Sequence, residues 1–296
     1  MSPILDERLP AGPEWGYQLK WDGVRLLTGL DNGSVQLYSK RQLPKNAVFP
    51  ELVETLSRVK GRLVLDGEAV VFDPVKGRPV FQKVLQRERL KQPAGIREAI
   101  AREPVAYVLF DVLEQNGKDL RDQPFRERHE RLLELFPEKK PGLFVTDLFP
   151  DGQALWTWVE TNGWEGVVSK RLASKYRSGK KHGDWFKKKT ALVLDVSIVA
   201  YTMKAGVLSS LVMLRDGVYF GRVSLGLDTA KKRELLDYAA RLTPGLALWS
   251  PLPADLRKET LLWLSVPFPV TVTGLEITEA GQLRHPKLVN PGGIHP

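Results

Sequence analysis

The stretch of sequence that decides the fold of this chain is Tyr17–Arg25, which reads YQLKWDGVR. Its aromatic-rich first half, Tyr17–Trp21, predicts a β-strand, and the following Asp-Gly pair is typical of a tight turn. A lysine at the end of a strand, here Lys20, can project its amine into a cleft. Burial beside other cations lowers the pKa of an amine and makes it an effective nucleophile. The pattern is a weak indication by itself, because K-x-D-G occurs by chance in roughly one chain in fifteen of this length and also suits a surface lysine before a hairpin.

The composition narrows the class of protein. The chain has 296 residues, and at roughly 150 residues per domain this length suggests two domains. It has no cysteine, which excludes disulfides, thiolate nucleophiles and cysteine-ligated zinc. No apolar run approaches the ~18 residues of a membrane span, and an acid pair near the start occupies the place of a signal peptide's apolar core. We therefore expect a soluble, cytoplasmic protein with no membrane partner.

The positive charge is concentrated in one part of the chain. Lysine and arginine number 44 against 35 acidic residues, which gives a net charge of +9. That sum suits nucleic-acid binding and a well-solvated surface about equally. Within Glu165–Lys189, however, nine basic residues stand against two acidic ones. This stretch is therefore the first candidate for contact with phosphates.

Residues 1–190 and 191–296 differ in pattern. The first part alternates strand-like segments with helix-like segments at Pro50–Val59, Pro124–Phe136 and Asp151–Asn162. The second part consists of short strand-like segments interrupted by one helix candidate, Thr229–Leu242. That pattern suits a small β-barrel such as the oligonucleotide-binding (OB) fold. The sequence thus predicts two domains, 1–190 and 191–296, with their boundary near Thr190–Asp195.

Four further motifs place acids, an aromatic residue or cations in strand-like segments: LDGEAVV (65–71), AYVLFDV (106–112), WEGVVSKR (164–171) and DWFKKK (184–189). In the first, Asp66 and Glu68 lie two positions apart and point to one face of a strand, where they could bind a ribose hydroxyl or help to hold Mg²⁺. In the second, Phe110 could stack on a purine. A purely structural role is the alternative for both motifs. The first motif could form an Asp-Gly turn, and Phe110 could be a residue of the hydrophobic core.

The other two motifs carry a candidate metal ligand and a candidate phosphate site. Glu165 stands beside a glycine at the entry to a strand, where its carboxylate could take a divalent metal. Lys187 and Lys189 share one strand face and Lys188 takes the other. Two cations on one spot repel each other unless an anion lies between them, and phosphate is the natural one. The alternative is a solvated basic strand.

In order along the chain, the motifs K-x-D-G-x-R, D-G-E, F-D, E-G-V-V-x-K and W-F-K-x-K resemble those of the covalent nucleotidyltransferases. The chain resembles ATP-dependent DNA ligases, most closely the ligase module of bacterial end-joining DNA ligases of the D type, from about Trp15 through the second domain. The resemblance implies an α+β fold. An ATP-grasp-like nucleotidyltransferase (adenylation) domain of antiparallel sheets and helices, 1–190, is followed by a small OB-fold β-barrel, 191–296.

The resemblance also implies roles for the nucleotide-binding residues. Lys20 is expected to form the covalent lysyl-AMP from ATP, with Lys187 and Lys189 on the α-phosphate. The other implied contacts are an adenine-contacting residue, an arginine near the ribose, a ribose-contacting acid and an aromatic residue stacked on adenine: Gln18, Arg25, Glu68 and Phe110.

The metal and nucleic-acid residues follow from the same resemblance. Glu68 and Glu165 are expected to hold Mg²⁺ or Mn²⁺. The implied nucleic-acid contacts are Arg25, Lys40, Arg41 and Arg284. The second arginine motif of the family falls on the sequence YSKR, where the spacing to the following F-P-E favours Lys40 over Arg41.

The function implied by the resemblance is sealing of nicks in duplex DNA. The lysyl-AMP passes its AMP to the 5′-phosphate, and the 3′-hydroxyl then displaces AMP, in DNA repair or end joining. Nicked duplex DNA is the implied partner, gripped through its phosphates rather than read by sequence. A Ku-type end-binding protein is the second implied partner, and the chain is expected to act as a monomer.

Two alternatives stay open from the sequence. An RNA ligase or an mRNA capping guanylyltransferase shares these motifs and differs in its nucleotide and its acceptor. The other alternative is a non-catalytic module that binds DNA nicks or ends, because no R-x-D-K-like motif to orient pyrophosphate follows Arg284. A second departure is Lys180-Lys181, where relatives often carry arginine, since lysine lacks the bidentate fork of a guanidinium.

Overall fold

The chain divides between Thr190 and Ala191 into two units, Met1–Thr190 and Ala191–Pro296. The computed structural model describes residues 1–278 and 280–290. None of the helices in these ranges combines the length and the apolar composition needed to cross a membrane.

The first unit contains strands and helices in alternation. Its strands are β1 (Ser2–Leu5), β2 (Trp15–Leu19), β3 (Val24–Asp31), β4 (Ser34–Ser39), β5 (Arg62–Asp73), β6 (Arg78–Pro79), β7 (Val105–Gln115), β8 (Lys118–Asp119), β9 (Leu143–Val145), β10 (Gly166–Arg171) and β11 (Lys181–Lys189). Its helices are α1 (Pro50–Ser57), α2 (Phe81–Arg89), α3 (Pro93–Arg102), α4 (Phe125–Leu135) and α5 (Gly152–Thr161).

Two sheets organise the first unit. The larger has the order β4-β3-β5-β7-β8, with β6 paired to β5 and β9 paired to β7; the smaller has the order β1-β11-β10-β2. Most pairs are antiparallel, and β1–β11 and β7–β9 are parallel. Leucines and aromatic residues of the larger sheet pack against α1 around the fully buried Phe49. The smaller sheet packs on α5 through Trp156 and Val159.

Local sequence accounts for several of these elements. Asn32-Gly33 and Asn116-Gly117 close the β3–β4 and β7–β8 hairpins with positive φ at both positions, the conformation that this dipeptide favours. Helix α5 begins after Asp151, whose carboxylate accepts hydrogen bonds from the backbone N–H groups of Gln153 and Ala154. Helix α1 begins with Pro50, which needs no hydrogen-bond acceptor at that position.

The second unit is mainly β-structure. Its elements are β12 (Leu192–Lys204), β13 (Val207–Arg215), β14 (Val218–Val223), α6 (Thr229–Ala240), β15 (Thr260–Gly274), β16 (Glu276–Ile277), β17 (Leu283–Arg284) and β18 (Lys287–Asn290). An antiparallel sheet of order β14-β13-β12-β15-β18 surrounds an apolar core that α6 enters through Leu235, and β16 pairs with β17. Asp216-Gly217 closes the β13–β14 hairpin, again with positive φ at both residues.

The structure differs from the sequence predictions at three places. Helices α2 and α3 have no counterpart in the sequence analysis. The β2 strand ends at Leu19, so Lys20 follows the strand rather than lying inside it. Asp66-Gly67 lies within β5, paired with β3 on one side and β7 on the other, and not in a turn. Glycine fits there because a Cβ on Gly67 would lie 2.5 Å from the Tyr107 ring. The alternative interpretation of Asp66-Gly67 as a turn is therefore wrong.

We expect acid to destabilise the first unit through His129 on α4, which is 3% exposed. Burial lowers the pKa of His129 to about 4, and the charge of Lys170 adds to this effect. Between this value and the ordinary pKa of 6.5 the unfolded chain binds more protons, so stability falls as pH drops through that window. Between pH 7 and pH 5 the loss from this group is about 2 kcal/mol. Urea unfolding at both pH values measures it; a His129→Leu variant with an undiminished pH dependence would contradict it.

Candidate active site

One pocket of the first unit collects most of the predicted site residues. Both sheets contribute to its lining, and the wall is strongly cationic: its basic residues are Lys20, Arg25, Lys40, Lys170, Lys181 and Lys187. Among the described residues that line it, Glu68 is the one acid. A pocket with this balance attracts polyanions such as a nucleoside triphosphate.

Lys20 directly follows β2 and lies beside the start of β10, the hydrogen-bonded neighbour of β2. Its backbone N–H donates to the carbonyl of Gly166 at 2.9 Å, and its Nζ donates to Glu165 Oε2 at 2.5 Å. The other carboxylate oxygen, Glu165 Oε1, lies 3.1 Å from Lys189 Nζ. These three side chains are between 12% and 18% exposed. One carboxylate therefore bridges two lysine ammonium groups in a partly buried position.

Gly166 allows this bridge to form. Its φ of 153° and its close contact with β11 leave no room for a side chain, since a Cβ would lie 2.0 Å from the carbonyl oxygen of Lys188. The tight approach of β10 to β11 brings Glu165, at the start of β10, beside Lys189, at the end of β11. The glycine after the glutamate in WEGVVSKR is thus a packing requirement of the site.

Successive lysines of β11 alternate between the two faces of the strand. Lys187 lines the pocket and Lys189 contacts Glu165. Lys188 points the other way, with its Nζ 4.0 Å from the ring of Trp156. The shared face predicted for Lys187 and Lys189 is present; their contact with an α-phosphate stays a prediction.

Two acidic side chains near Lys20, Glu68 and Asp22, have raised pKa values. Burial raises the pKa of Glu68 to about 8, and the charge of Glu165 adds to the effect while Lys20 and Arg25 oppose it. Burial and Glu165 likewise raise the pKa of Asp22, whose Oδ2 accepts a hydrogen bond from the Phe81 N–H. A bound cation would reduce the electrostatic repulsion between these carboxylates.

The carboxylates suit Mg²⁺ or Mn²⁺ only as part of a larger ligand set. Glu68 and Glu165 supply the oxygen donors that these ions prefer. Across the described ranges no group of three or more acidic or histidine side chains is placed to hold an ion. A divalent ion here would therefore take its remaining ligands from phosphate oxygens and water.

Arg25 lines the pocket, but its hydrogen bonds point into the protein. Its Nε and Nη2 donate to Asp66 Oδ1 and Oδ2 at 2.8 and 2.5 Å, and Nη1 donates to the carbonyl of Met1 at 2.6 Å. Asp66 is fully buried and also accepts from the Tyr176 hydroxyl at 2.7 Å. Asp66 therefore supports Arg25 instead of joining Glu68 at a ligand. The role of Arg25 at a ribose or a nick phosphate stays a prediction.

Gln18 and Phe110 face the pocket from different strands. Gln18 is 2% exposed, and its Nε2 has no hydrogen-bond partner in the described part of the chain. A buried donor without a partner is a group that a ligand can satisfy. The Phe110 ring lies 5.4 Å from the guanidinium carbon of Arg25 and is partly exposed to the pocket.

The candidate nucleic-acid residues are divided between the two units. Lys40 lines the pocket, and its neighbour Arg41 is exposed at the end of the β3–β4 hairpin. Arg284 is exposed on β17 of the second unit. Their contacts with DNA stay predictions.

Sequence reasoning missed several pocket residues. Trp21 and Lys170 lie inside the motifs quoted above but received no role there. The Trp21 indole donates to Thr146 Oγ1 at 2.9 Å, and both residues line the pocket. Thr146, on the segment after β9, has no pattern in the sequence that would have identified it.

The chain is similar to known proteins over most of its length. Residues 6–189 match the family described as ATP dependent DNA ligase domain. The bifunctional non-homologous end joining protein LigD of Bacillus subtilis (strain 168) is 28% identical over 98% of this chain and 52% of that protein. The multifunctional non-homologous end joining protein LigD of Pseudomonas aeruginosa is 34% identical over 89% of this chain and 29% of that protein. The chain thus spans about half the length of the first relative and under a third of the second.

A solved structure supports the fold of the whole chain. The structure described as mycobacterial DNA ligase D complexed with ATP and MES covers 98% of this chain and 95% of its own, with 29% identity and a TM-score of 0.58. The predicted α+β fold, a nucleotidyltransferase domain followed by an OB-fold, is confirmed, and so is the resemblance to DNA ligase D. This chain belongs to the ATP-dependent DNA ligase domain family.

Proposed function

We propose that this chain seals nicks in duplex DNA by way of a lysyl-AMP intermediate. Lys20 Nζ attacks the α-phosphorus of ATP, a P–N bond forms, and the bond to pyrophosphate breaks. The 5′-phosphate at a nick then takes the AMP from Lys20, and the 3′-hydroxyl attacks that phosphate and releases AMP. Each step forms one bond at phosphorus and breaks another, so the protein contributes mainly by positioning and by stabilising charge.

The observation that supports this function most directly is the Lys20–Glu165–Lys189 bridge. A lysine must lose a proton before it can attack, and Glu165 Oε2, at 2.5 Å, is an acceptor already in contact with it. Once Lys20 has released Glu165, Lys189 keeps that carboxylate in place through the other oxygen. Lys187, which lines the pocket, would stabilise charge on the α-phosphate.

A divalent ion, Mg²⁺ or Mn²⁺, is part of the proposal. Glu68 and Glu165 would hold it, and when bound it would neutralise charge on the phosphate oxygens. The raised pKa of Glu68 supports this assignment, because it indicates a carboxylate that gains from an additional positive charge. Gln18, Arg25 and Phe110 would then contact the nucleoside.

The DNA contacts and partners are also proposals. We assign phosphate contacts to Arg25, Lys40, Arg41 and Arg284, and expect binding to weaken steeply with salt. The names of two relatives include non-homologous end joining, which supports a role in DNA end repair with a Ku-type partner. We propose that the chain acts there as a monomer in the cytoplasm, at the nucleoid.

Labelled nucleotides and defined acceptors test the function. The protein is incubated with α-labelled ATP or GTP and Mg²⁺, denatured and run on a gel, and then supplied with nicked DNA or a nicked RNA–DNA hybrid. We expect label from ATP alone and joining of nicked DNA. A nick without a 5′-phosphate is the control and should not be joined.

The alternatives give different outcomes in the same assay. Label from GTP would indicate a capping-type nucleotidyltransferase, and joining restricted to RNA would indicate an RNA ligase. Binding of nicked DNA with no covalent label from either nucleotide would indicate a non-catalytic nick-binding module and would overturn the proposal.

A further inference from the structure

A buried lysine that the proposed mechanism does not use lies beside Phe110. Lys170 on β10 is 2% exposed, and its Nζ donates to the backbone carbonyl of Phe110 at 3.3 Å. The same nitrogen lies 4.8 Å from the centroid of the Phe110 ring, 4.4 Å from that of Phe125 and 4.1 Å from that of Trp185. Three aromatic rings thus surround the ammonium group, an arrangement that stabilises a cation.

The carboxylates nearest to Lys170 already have other partners. Asp111 forms a two-point pair with Arg128, and Asp66 forms one with Arg25. Over residues 1–278 and 280–290, no acidic oxygen forms an ion pair with Lys170. Lys170 Nζ therefore contacts the Phe110 carbonyl and the three aromatic rings rather than a carboxylate. These contacts restrict the movement of both the lysine and the rings.

We propose that Lys170 is a positioning residue that fixes the Phe110 ring in the orientation in which it receives the nucleotide base. The lysine acts through Phe110, whose backbone and ring it contacts at once. Arg25 lies 5.4 Å from the same ring, so two cations limit its movement. This inference rests on the proposed function, because it takes Phe110 as the surface on which the base stacks.

The contact between the Lys170 ammonium group and the aromatic rings should depend on pH near neutrality. Burial lowers the pKa of Lys170 to about 7, while Asp111 and Asp66 oppose the shift. The charged and titratable groups that face it are Asp111, Asp66, Arg128, Arg25, His129 and the α-amino group of Met1. His129 stays neutral here because its own pKa is about 4. The cation that holds the rings is present below pH 7 and is lost as pH rises through that value.

The test is single-turnover adenylation of the full chain at a series of ATP concentrations. At pH 6.5 we expect Lys170→Met to raise the half-saturating ATP concentration about tenfold and to change the plateau rate by less than roughly threefold. Lys188→Met is the matched control. Lys188 Nζ also lies against an indole ring, that of Trp156, at 4.0 Å, but its side chain points away from the face of β11 that carries Lys187 and Lys189. We expect the control to match the wild type.

The pH profile gives an independent readout. In the wild type the half-saturating ATP concentration should rise between pH 6 and pH 8. In Lys170→Met the half-saturating ATP concentration should be high at pH 6 already and rise less over this range than in the wild type. In Lys170→Arg, which keeps its charge throughout, it should stay below the wild-type value at pH 8. If the methionine variant does not fold, the wild-type and arginine profiles decide the question.

Phe110→Ala separates failure of this inference from failure of the proposed site. If Phe110→Ala leaves the half-saturating ATP concentration unchanged, the assignment of Phe110 as the base platform is wrong. If Phe110→Ala raises it and Lys170→Met matches the wild type at every pH, the positioning role of Lys170 is overturned. A lower plateau with unchanged half-saturation in Lys170→Met would also overturn it, because it would place Lys170 in the chemical step.

Discussion

Replacement of Lys20 by alanine is expected to abolish covalent labelling by α-labelled ATP, a loss of at least roughly a thousandfold. Lys20 follows directly on the end of β2, lines the pocket and contacts the carboxylate that can accept its proton. Lys189 shares that carboxylate at 3.1 Å but stands outside the pocket lining, and Lys170 is enclosed by three rings. A denaturing gel after incubation with ATP and Mg²⁺ measures the label.

A second substrate shows whether the Lys20→Ala protein is otherwise intact. A nick whose 5′-phosphate already carries AMP needs no lysine nucleophile, so this variant should still join it. Lys118→Ala, at an exposed lysine of the short strand β8, is the matched control and should label like the wild type. Label that persists in Lys20→Ala would show that another residue is the nucleophile.

The residues of the site were predictable where chemistry and local pattern coincide. Lys20, Glu165 and Lys187 stand in short motifs whose residue types have few other uses together. Lys20 and Lys187 line one pocket, and Glu165 contacts Lys20. The hairpin turns at Asn32-Gly33, Asn116-Gly117 and Asp216-Gly217 use dipeptides that tolerate positive φ. The dipeptide alone does not decide a turn, because Asp66-Gly67 lies inside a strand. The start of α5 followed from Asp151, whose carboxylate caps the helix.

Elements stabilised by long-range polar pairs were not predictable. Helix α2 buries Val84 and Arg87. An apolar residue at position 87 would have continued the helical spacing of apolar residues from Val84, but an arginine does not. Arg87 is accommodated because its guanidinium pairs with Glu51 on α1, 36 positions away in the sequence. Asp66 was likewise misassigned, because its partner Arg25 lies 41 positions away. Single-sequence patterns contain no information about such partners.

The pair formed by Asp111 and Arg128 is expected to have the largest effect on stability. Both side chains are fully buried, and Arg128 Nε and Nη2 donate to Asp111 Oδ1 and Oδ2 at 2.7 and 3.0 Å. Asp111→Asn keeps the shape of the side chain and removes its charge, which leaves a buried guanidinium uncompensated. Such a change lowers the free energy of unfolding by about 3–5 kcal/mol.

Urea unfolding followed by tryptophan fluorescence measures this loss, since most of the eight tryptophans lie in the first unit. Asp119→Asn is the matched control: Asp119 also pairs with an arginine, Arg121, at 2.6 Å, but both side chains are about half exposed. Because water screens exposed pairs, the control should lose no more than about 1 kcal/mol. The double change Asp111→Leu with Arg128→Met removes both charges and should recover most of the lost stability. Equal losses in Asp111→Asn and Asp119→Asn would contradict the argument, because burial would then make no difference to the pair.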